Sequence, residues 1–294
     1  MLLINQTHGF SNRVGFEKAV QMNKQAGFDA MDISMYCEDF VARTMQDDWR
    51  GYAAELKAIS DKYGMPFLQA HAPCRFYDEF KSGKSYEQIY SETILPQTLR
   101  SIEFAAALNV EIIVVHPMHN GDYHKCKDLF HDQSMAFYRE LIPHCERLGI
   151  KIALENMFQC RPFTNTIEAD TCSSPYEFAA WLDELDSEWV TGCLDIGHCG
   201  LVGEDVVHAI KVIGADRLGC LHVHDNDRVH DLHTLPGVGK IDFKAVTAAL
   251  SEIGYRGNFT YEAWSFPSAF ETDMLPSVAR FMHDQGRQLM KMME

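Results

Sequence analysis

The sequence predicts an α/β fold, a single (β/α)8 TIM barrel with an eight-stranded parallel sheet, spanning residues 1–294 as one domain. Three observations predict it. Short β-rich runs alternate with longer amphipathic runs through the whole chain. Some short runs are continuously apolar, as in Ile112-Ile113-Val114-Val115, which suits strands buried on both faces. No Gly-rich GxGxxG motif follows the first run, which speaks against a doubly wound nucleotide-binding sheet and against a nucleotide cofactor.

The elements follow in order. Residues 2–7 read as the first strand and 16–26 as a helix stopped by Gly27. Residues 30–35 form the second strand, 49–63 a helix stopped by Gly64, and 66–72 the third strand. A helix near 93–108 leads to the fourth strand, 111–116. A helix over 134–148, ended by Gly149, precedes the fifth strand at 151–156. Residues 174–185 form a helix capped by Ser173 or Ser174, with Pro175 in its first turn. The sixth strand is 190–196, a short helix 206–213, and the seventh strand 218–224. A helix over 242–253, the eighth strand at 258–263 and a final helix over 276–292 complete the pattern. Two segments interrupt it, 74–91 and 157–172; both follow strand C-termini, where a barrel builds its pocket.

Composition narrows the function classes. The 294 residues are 46% hydrophobic and 23% charged, ordinary for a globular protein, with no linker or low-complexity tract. A net charge of −16, from 42 acidic and 26 basic residues, works against binding a polyanion such as nucleic acid. No apolar run spans a bilayer, and the N-terminus lacks the basic flank of a signal peptide. Nine cysteines without a CxxC pair fit reduced thiols in the cytoplasm. A homo-oligomer stays open.

Chemistry gathers at the strand ends. His71 ends the third strand, His116 the fourth, Glu155 the fifth, Asp195 and His198 the sixth, His222 and His224 the seventh, and Glu262 the eighth. Each ionisable group closes a mostly apolar run, and in a barrel those ends converge. Converging carboxylates and imidazoles make a site for a divalent cation, whose charge offsets acid–acid repulsion. The loop after the seventh strand adds Asp231 and His233, two apart. It also holds Gly237, Gly239 and Lys240, a turn with a solvated lysine or a phosphate cradle.

The pieces Leu154-Glu155-Asn156, Asp195-Ile196-Gly197-His198, His222-Val223-His224-Asp225 and Tyr261-Glu262 carry a resemblance. In combination they resemble the xylose-isomerase-like barrel superfamily of sugar isomerases, sugar epimerases and endonuclease IV. The resemblance implies one divalent metal, Mn2+ or Zn2+ with Mg2+ or Co2+ as further options, held by Glu155, Asp195, His222 and Glu262. It implies a metal-dependent isomerase or epimerase acting on a sugar, sugar phosphate or inosose. Glu155 and Glu262 would exchange the proton beside the substrate carbonyl. His198 and Arg228 match the spacing of substrate contacts. The epimerases carry a second acid six residues after the first Glu, and Arg161 stands there instead, which points to a substrate carboxylate or phosphate. The endonuclease IV branch gives a second mapping, a zinc phosphodiesterase acting on abasic DNA. There His71, His116, His198, Asp231 and His233 join the four residues as ligands of further metals. In the sugar enzymes they are substrate contacts instead. A third option is a metal-binding barrel subunit of a larger sugar-processing enzyme.

Overall fold

The computed structural model describes residues 1–74, 76, 80, 82–119, 121–161, 164 and 166–294. Eight parallel strands close into a barrel: β1 (Leu3–Gln6), β2 (Ala30–Ser34), β3 (Phe67–His71), β4 (Ile112–Val115), β5 (Lys151–Glu155), β8 (Val190–Asp195), β9 (Leu218–Val223) and β10 (Asn258–Tyr261). Each pairs with its neighbour in sequence, and β1 pairs with β10 to close the ring. Two further strands, β6 (Phe158–Cys160) and β7 (Ile167–Ala169), form an antiparallel pair outside the barrel.

Strand alternation positions the site. Val114, Ala153, Cys193 and Cys220 form a small buried cluster of their own, apart from the large core between strands and helices. Successive residues face opposite sides of a strand, so the residue two further on shares the same face. Two residues beyond those four stand His116, Glu155, Asp195 and His222. A rung of small apolar side chains thus floors a rung of ionisable ones. Gln69 and Thr260 share the interior, joined by the Thr260 hydroxyl donating to Gln69 Oε1 at 2.8 Å.

The helices obey the expected stops. Phe16–Ala26, Trp49–Tyr63 and the helix ending at Leu148 each meet a left-handed glycine, Gly27, Gly64 and Gly149. Asp205 and Asp242 cap Val206–Ile213 and Phe243–Glu252 with side-chain oxygens on backbone N–H groups. Ser174 precedes Pro175–Leu185 but makes no side-chain cap bond.

Some elements differ from the sequence reading. The helix expected from 134 starts at Tyr123, with a non-helical residue at Cys126 and Pro143 inside it. Its first turns bury only Tyr123 and Phe130, so they show little periodicity. The helix expected near 93 begins at Tyr86 with a capping box on Ser85, passes through a π-helical turn, Tyr90–Ile94, and continues as Leu95–Ala107. The π turn lies just before Pro96, whose missing N–H breaks the ordinary ladder. Short helices at His8–Val14, Glu38–Thr44 and Ile196–Leu201 add to the pattern. Parts of the two expected pocket loops, at 75, 77–79, 81, 162, 163 and 165, lie outside the described residues. Among the described residues, no helix is long and apolar enough to cross a membrane.

Candidate active site and metal centre

Glu155 and Asp195 are the last residues of β5 and β8, His222 lies on β9, and Glu262 follows β10 directly. Glu155, Asp195 and His222 are fully buried, and Glu262 is 4% exposed. Each offers one donor atom, and the four atoms lie within 4.8 Å of one another. His222 Nδ1 sits at the centre, 2.8 Å from Glu155 Oε1, 3.3 Å from Glu262 Oε2 and 3.9 Å from Asp195 Oδ2.

Surrounding groups hold this cluster in place. Gln6 Nε2 donates to Glu262 Oε1 at 2.9 Å, and Gln6 Oε1 accepts from the Tyr36 hydroxyl. The Asn156 amide clamps β5 to β8: its Nδ2 donates to the Asp195 carbonyl and its Oδ1 accepts the Asp195 N–H. His224 Nε2 lies 3.1 Å from Asp195 Oδ2. Asp195 Oδ1 also accepts from the His198 N–H, capping Ile196–Leu201.

Three histidines share one device. Nδ1 of His71, His198 and His233 faces the backbone carbonyl of Ala72, Asn156 and Glu262, at 2.8, 2.9 and 3.0 Å. A carbonyl only accepts, so Nδ1 donates and Nε2 is the nitrogen turned to the pocket, where that of His233 meets the Asp231 carboxylate. Metal-binding imidazoles are oriented in this way. His71 Nε2 lies 3.2 Å from His116 Nε2, and both approach Glu155 Oε2, at 3.5 and 3.1 Å.

The electrostatics ask for positive charge. Burial pushes the Glu155 carboxyl up, but His222, His116 and His71 together outweigh it and hold it well below the usual range. Burial pushes His222 down, but Glu262, Glu155 and Asp195 raise it well above the ordinary value. His233 follows the same balance and rises to about 9, with burial opposed by Glu262 and Asp231. At His222 and His233 buried carboxylates draw protons onto the imidazoles, whereas burial lowers His116 to about 4. A divalent cation supplies the same charge at one point, so the donor set fits a metal.

The other expected residues fall into two groups. His198, His224, Asp231 and His233 form a second cluster of donor atoms within 4.8 Å of one another. His233 Nε2 lies 2.9 Å from Asp231 Oδ2. Arg228 and Arg161 are not brought into either cluster. Arg228 is on an exposed turn at φ 63°, and its backbone N–H bonds Asn226 Oδ1. Arg161 is exposed on the hairpin side of the pocket, its Nε donating to Glu168 at 2.6 Å. The loop with Gly237 and Gly239 is not an open anion cradle. The N–H groups of Gly237, Gly239 and Ile241 all donate to the buried Asp225 carboxylate. Lys240 is exposed.

Sequence reasoning missed several contributors. Gln6, Tyr36, Glu168, Asp170 and Trp264 had no role assigned, though Trp264 stands 5.0 Å from the His233 ring. Gln6 and Glu262 meet across 256 residues, so no local pattern announces them. His8 reaches this rim, with its ring 5.6 Å from Trp264.

Fold and cluster together define a barrel protein whose polar centre lies at the C-terminal ends of its strands. The chain belongs to the xylose isomerase-like TIM barrel family, whose model matches residues 20–284. It is 29% identical over 213 residues to an uncharacterised protein of Methanocaldococcus jannaschii, covering 70% of this chain and 67% of that one. It is 30% identical over 132 residues to L-ribulose 3-epimerase of Methylomonas sp., covering 45% of this chain and 42% of the epimerase. That match thus spans less than half of the epimerase's length. Among solved structures, the IolI protein with a bound zinc atom superposes with a TM-score of 0.77 at 18% identity, over 99% of this chain and 98% of that one. At that identity the likeness shows the fold.

Proposed function

We propose that this chain is a divalent-metal-dependent isomerase or epimerase acting on a sugar, a sugar phosphate or an inosose. One observation carries the reading: three buried carboxylates and an imidazole present donor atoms within 4.8 Å of one another at the barrel rim. Glu155, Asp195, His222 and Glu262 would hold the ion, with manganese or zinc suiting the mixed oxygen and nitrogen set. When bound, such an ion polarises a substrate carbonyl as a Lewis acid. Glu155 and Glu262 then take a proton from the carbon beside the carbonyl and return one to it. The Gln6–Tyr36 relay fixes Glu262 for that exchange, and Asn156 fixes the backbone around Asp195. His198 and His71 present Nε2 to the substrate hydroxyls. The sugar epimerase among the relatives supports the substrate class.

The test is a panel of ketoses and inososes with metal-loaded protein. Glu155→Gln and Glu262→Gln each lower turnover on the order of a thousandfold, the scale of a lost acid–base group. Full activity in either variant sinks the assignment. Glu262→Gln keeps the wild-type unfolding free energy within about 1 kcal/mol, because Gln6 retains a partner.

The second donor cluster favours one other reading. If His198, Asp231 and His233 hold a further ion, and His71 and His116 another, the site becomes a multi-metal phosphodiesterase centre. Metal analysis separates the two. One ion per chain supports the sugar enzyme. Two or three zinc ions, with cleavage of abasic DNA, support the phosphodiesterase.

A further inference from the structure

Beside the donor clusters, on the β3–β5 side of the rim, the barrel opens into a cavity of about 860 Å³. Its walls include Phe76, Phe80, Ile94, Met118, Phe137 and Phe158. It is continuous with the polar site, because two residues belong to both. His116 lines the cavity and stands 3.1 Å from Glu155 Oε2. Phe158 lines it and packs edge-on against His198, ring centroids 4.8 Å apart.

The volume corresponds to roughly 25–30 waters at ~30 Å³ each, several times what a monosaccharide occupies. Water against these apolar faces, unlike that near the lining Asp122, Gln159 and Asp170, is poorly hydrogen-bonded, and an apolar ligand that displaces it gains free energy. Four phenylalanines favour a flat ring, which takes edge-on or offset contacts with them. The charged groups at the rim are already matched. Arg161 pairs with Glu168 at 2.6 Å and Asp122 with Lys125 at 2.7 Å, and the buried Asp170 carboxylate accepts from the Thr171 N–H and hydroxyl. Among the described lining residues, Arg161 is the one permanently charged cation, and it is held by Glu168. A phosphate at this end would meet a single cation whose charge Glu168 already offsets.

We propose that the substrate is a sugar or cyclic polyol bearing an apolar, aryl-sized substituent, and that this cavity receives the substituent while the polar cluster holds the sugar. The inference rests on the sugar-enzyme reading and specifies its substrate class.

The experiment compares phenyl β-D-glucopyranoside with methyl β-D-glucopyranoside as ligands of the metal-loaded protein, by titration calorimetry. Neither carries a ketone, so both are read as ligands and not as substrates. The phenyl glycoside is expected to bind at least about tenfold tighter, with the more negative heat-capacity change that apolar burial gives. Met118→Trp, which fills the cavity, brings the ratio to near one. Phe158→Ala, which removes one wall on the hairpin, lowers the ratio as well and serves if the tryptophan variant does not fold. Equal affinities in the wild type, no binding of either glycoside, or a preference that survives in a folded variant overturns the inference. The parent reading is judged separately. Turnover of simple ketoses without phenyl preference overturns the aryl inference alone. Absence of bound metal and of turnover on every ketone sugar overturns the parent reading, while a phenyl preference measured by binding would stand.

Discussion

Gly197 offers a sharp test of how the cluster is supported. A Cβ at this position would lie 2.0 Å from Cε1, 2.4 Å from Nε2 and 2.5 Å from Nδ1 of His224. Ordinary carbon contacts are about 3.5–4.0 Å, so the ring would have to retreat by roughly 1.5 Å. It has nowhere to go: His224 is fully buried and stacks on His233, with ring centroids 4.0 Å apart. Overpacking of this kind costs about 1–3 kcal/mol. Moving the ring also removes the 3.1 Å contact from His224 to Asp195, and a hydrogen bond to a charged group is worth about 1.5–3 kcal/mol. Gly197→Ala therefore loses on the order of 3–5 kcal/mol. Urea unfolding reads this as a lower midpoint at unchanged slope. Metal affinity, measured by chelator competition, falls about 10–100-fold, the range for a lost partner of a metal ligand. His224→Ala in the same chain makes room for the methyl group, so the double variant recovers part of the stability lost by Gly197→Ala alone. An alanine variant with wild-type stability and wild-type metal affinity would refute the claim that His224 is wedged between Gly197 and Asp195.

Two further outcomes can be measured on the same protein. Burial raises the Asp32 carboxyl to about 6, against the downward pull of His222 and His71. A carboxyl whose folded value exceeds its unfolded one favours folding below the unfolded value, about pH 4, and loses that contribution as pH rises through about 6. Asp32→Asn thus stabilises the chelator-treated protein by on the order of 3 kcal/mol at pH 7.5 and by little at pH 4.5; equal midpoints at pH 7.5 count against the buried charge. Removal of metal with a chelator lowers the thermal midpoint, reflecting about 4 kcal/mol if free ion had stood near a thousand times its dissociation constant. A midpoint indifferent to chelator and to added Mn2+ or Zn2+ speaks against the four-residue centre.

The barrel was legible because its strands are buried on both faces, which leaves short apolar runs such as Ile112-Ile113-Val114-Val115 between amphipathic helices. The cluster was legible for a related reason. Glu155, Asp195, His222 and Glu262 break apolar runs at the same end of each strand, and a barrel has one place for those ends to meet. Contacts that depend on distant partners left no trace. Gln6 reaches Glu262, Tyr36 reaches Gln6, and Thr260 reaches Gln69 only once the ring is closed. The hairpin Phe158–Cys160 with Ile167–Ala169 is too short to show a period of two. Gly237 and Gly239 read locally as a turn or a cradle. It takes the buried Asp225 carboxylate, 12 and 14 residues away, to show that their N–H groups are occupied.

The two sides of the pocket are built from different materials, and that division bears on how the site divides its work. On the β5–β10 side, Asn156 and Asp225 hold backbone groups, and His224 holds the Asp195 carboxylate, through buried hydrogen bonds. A half-satisfied network of this sort is costly, so each member holds the next in one arrangement. Such rigidity suits the proton exchange proposed for Glu155 and Glu262, where small displacements cost large factors in rate. On the β3–β5 side, Phe76, Phe80, Met118 and Phe158 contribute side chains with no directional demand, and their apolar walls accept ligands of varied outline. In the proposed enzyme, the rigid half would fix where the carbonyl and its neighbouring carbon lie. The apolar half would select what is attached to them, and it touches the rigid half through His116, 3.1 Å from Glu155, and Phe158, against His198.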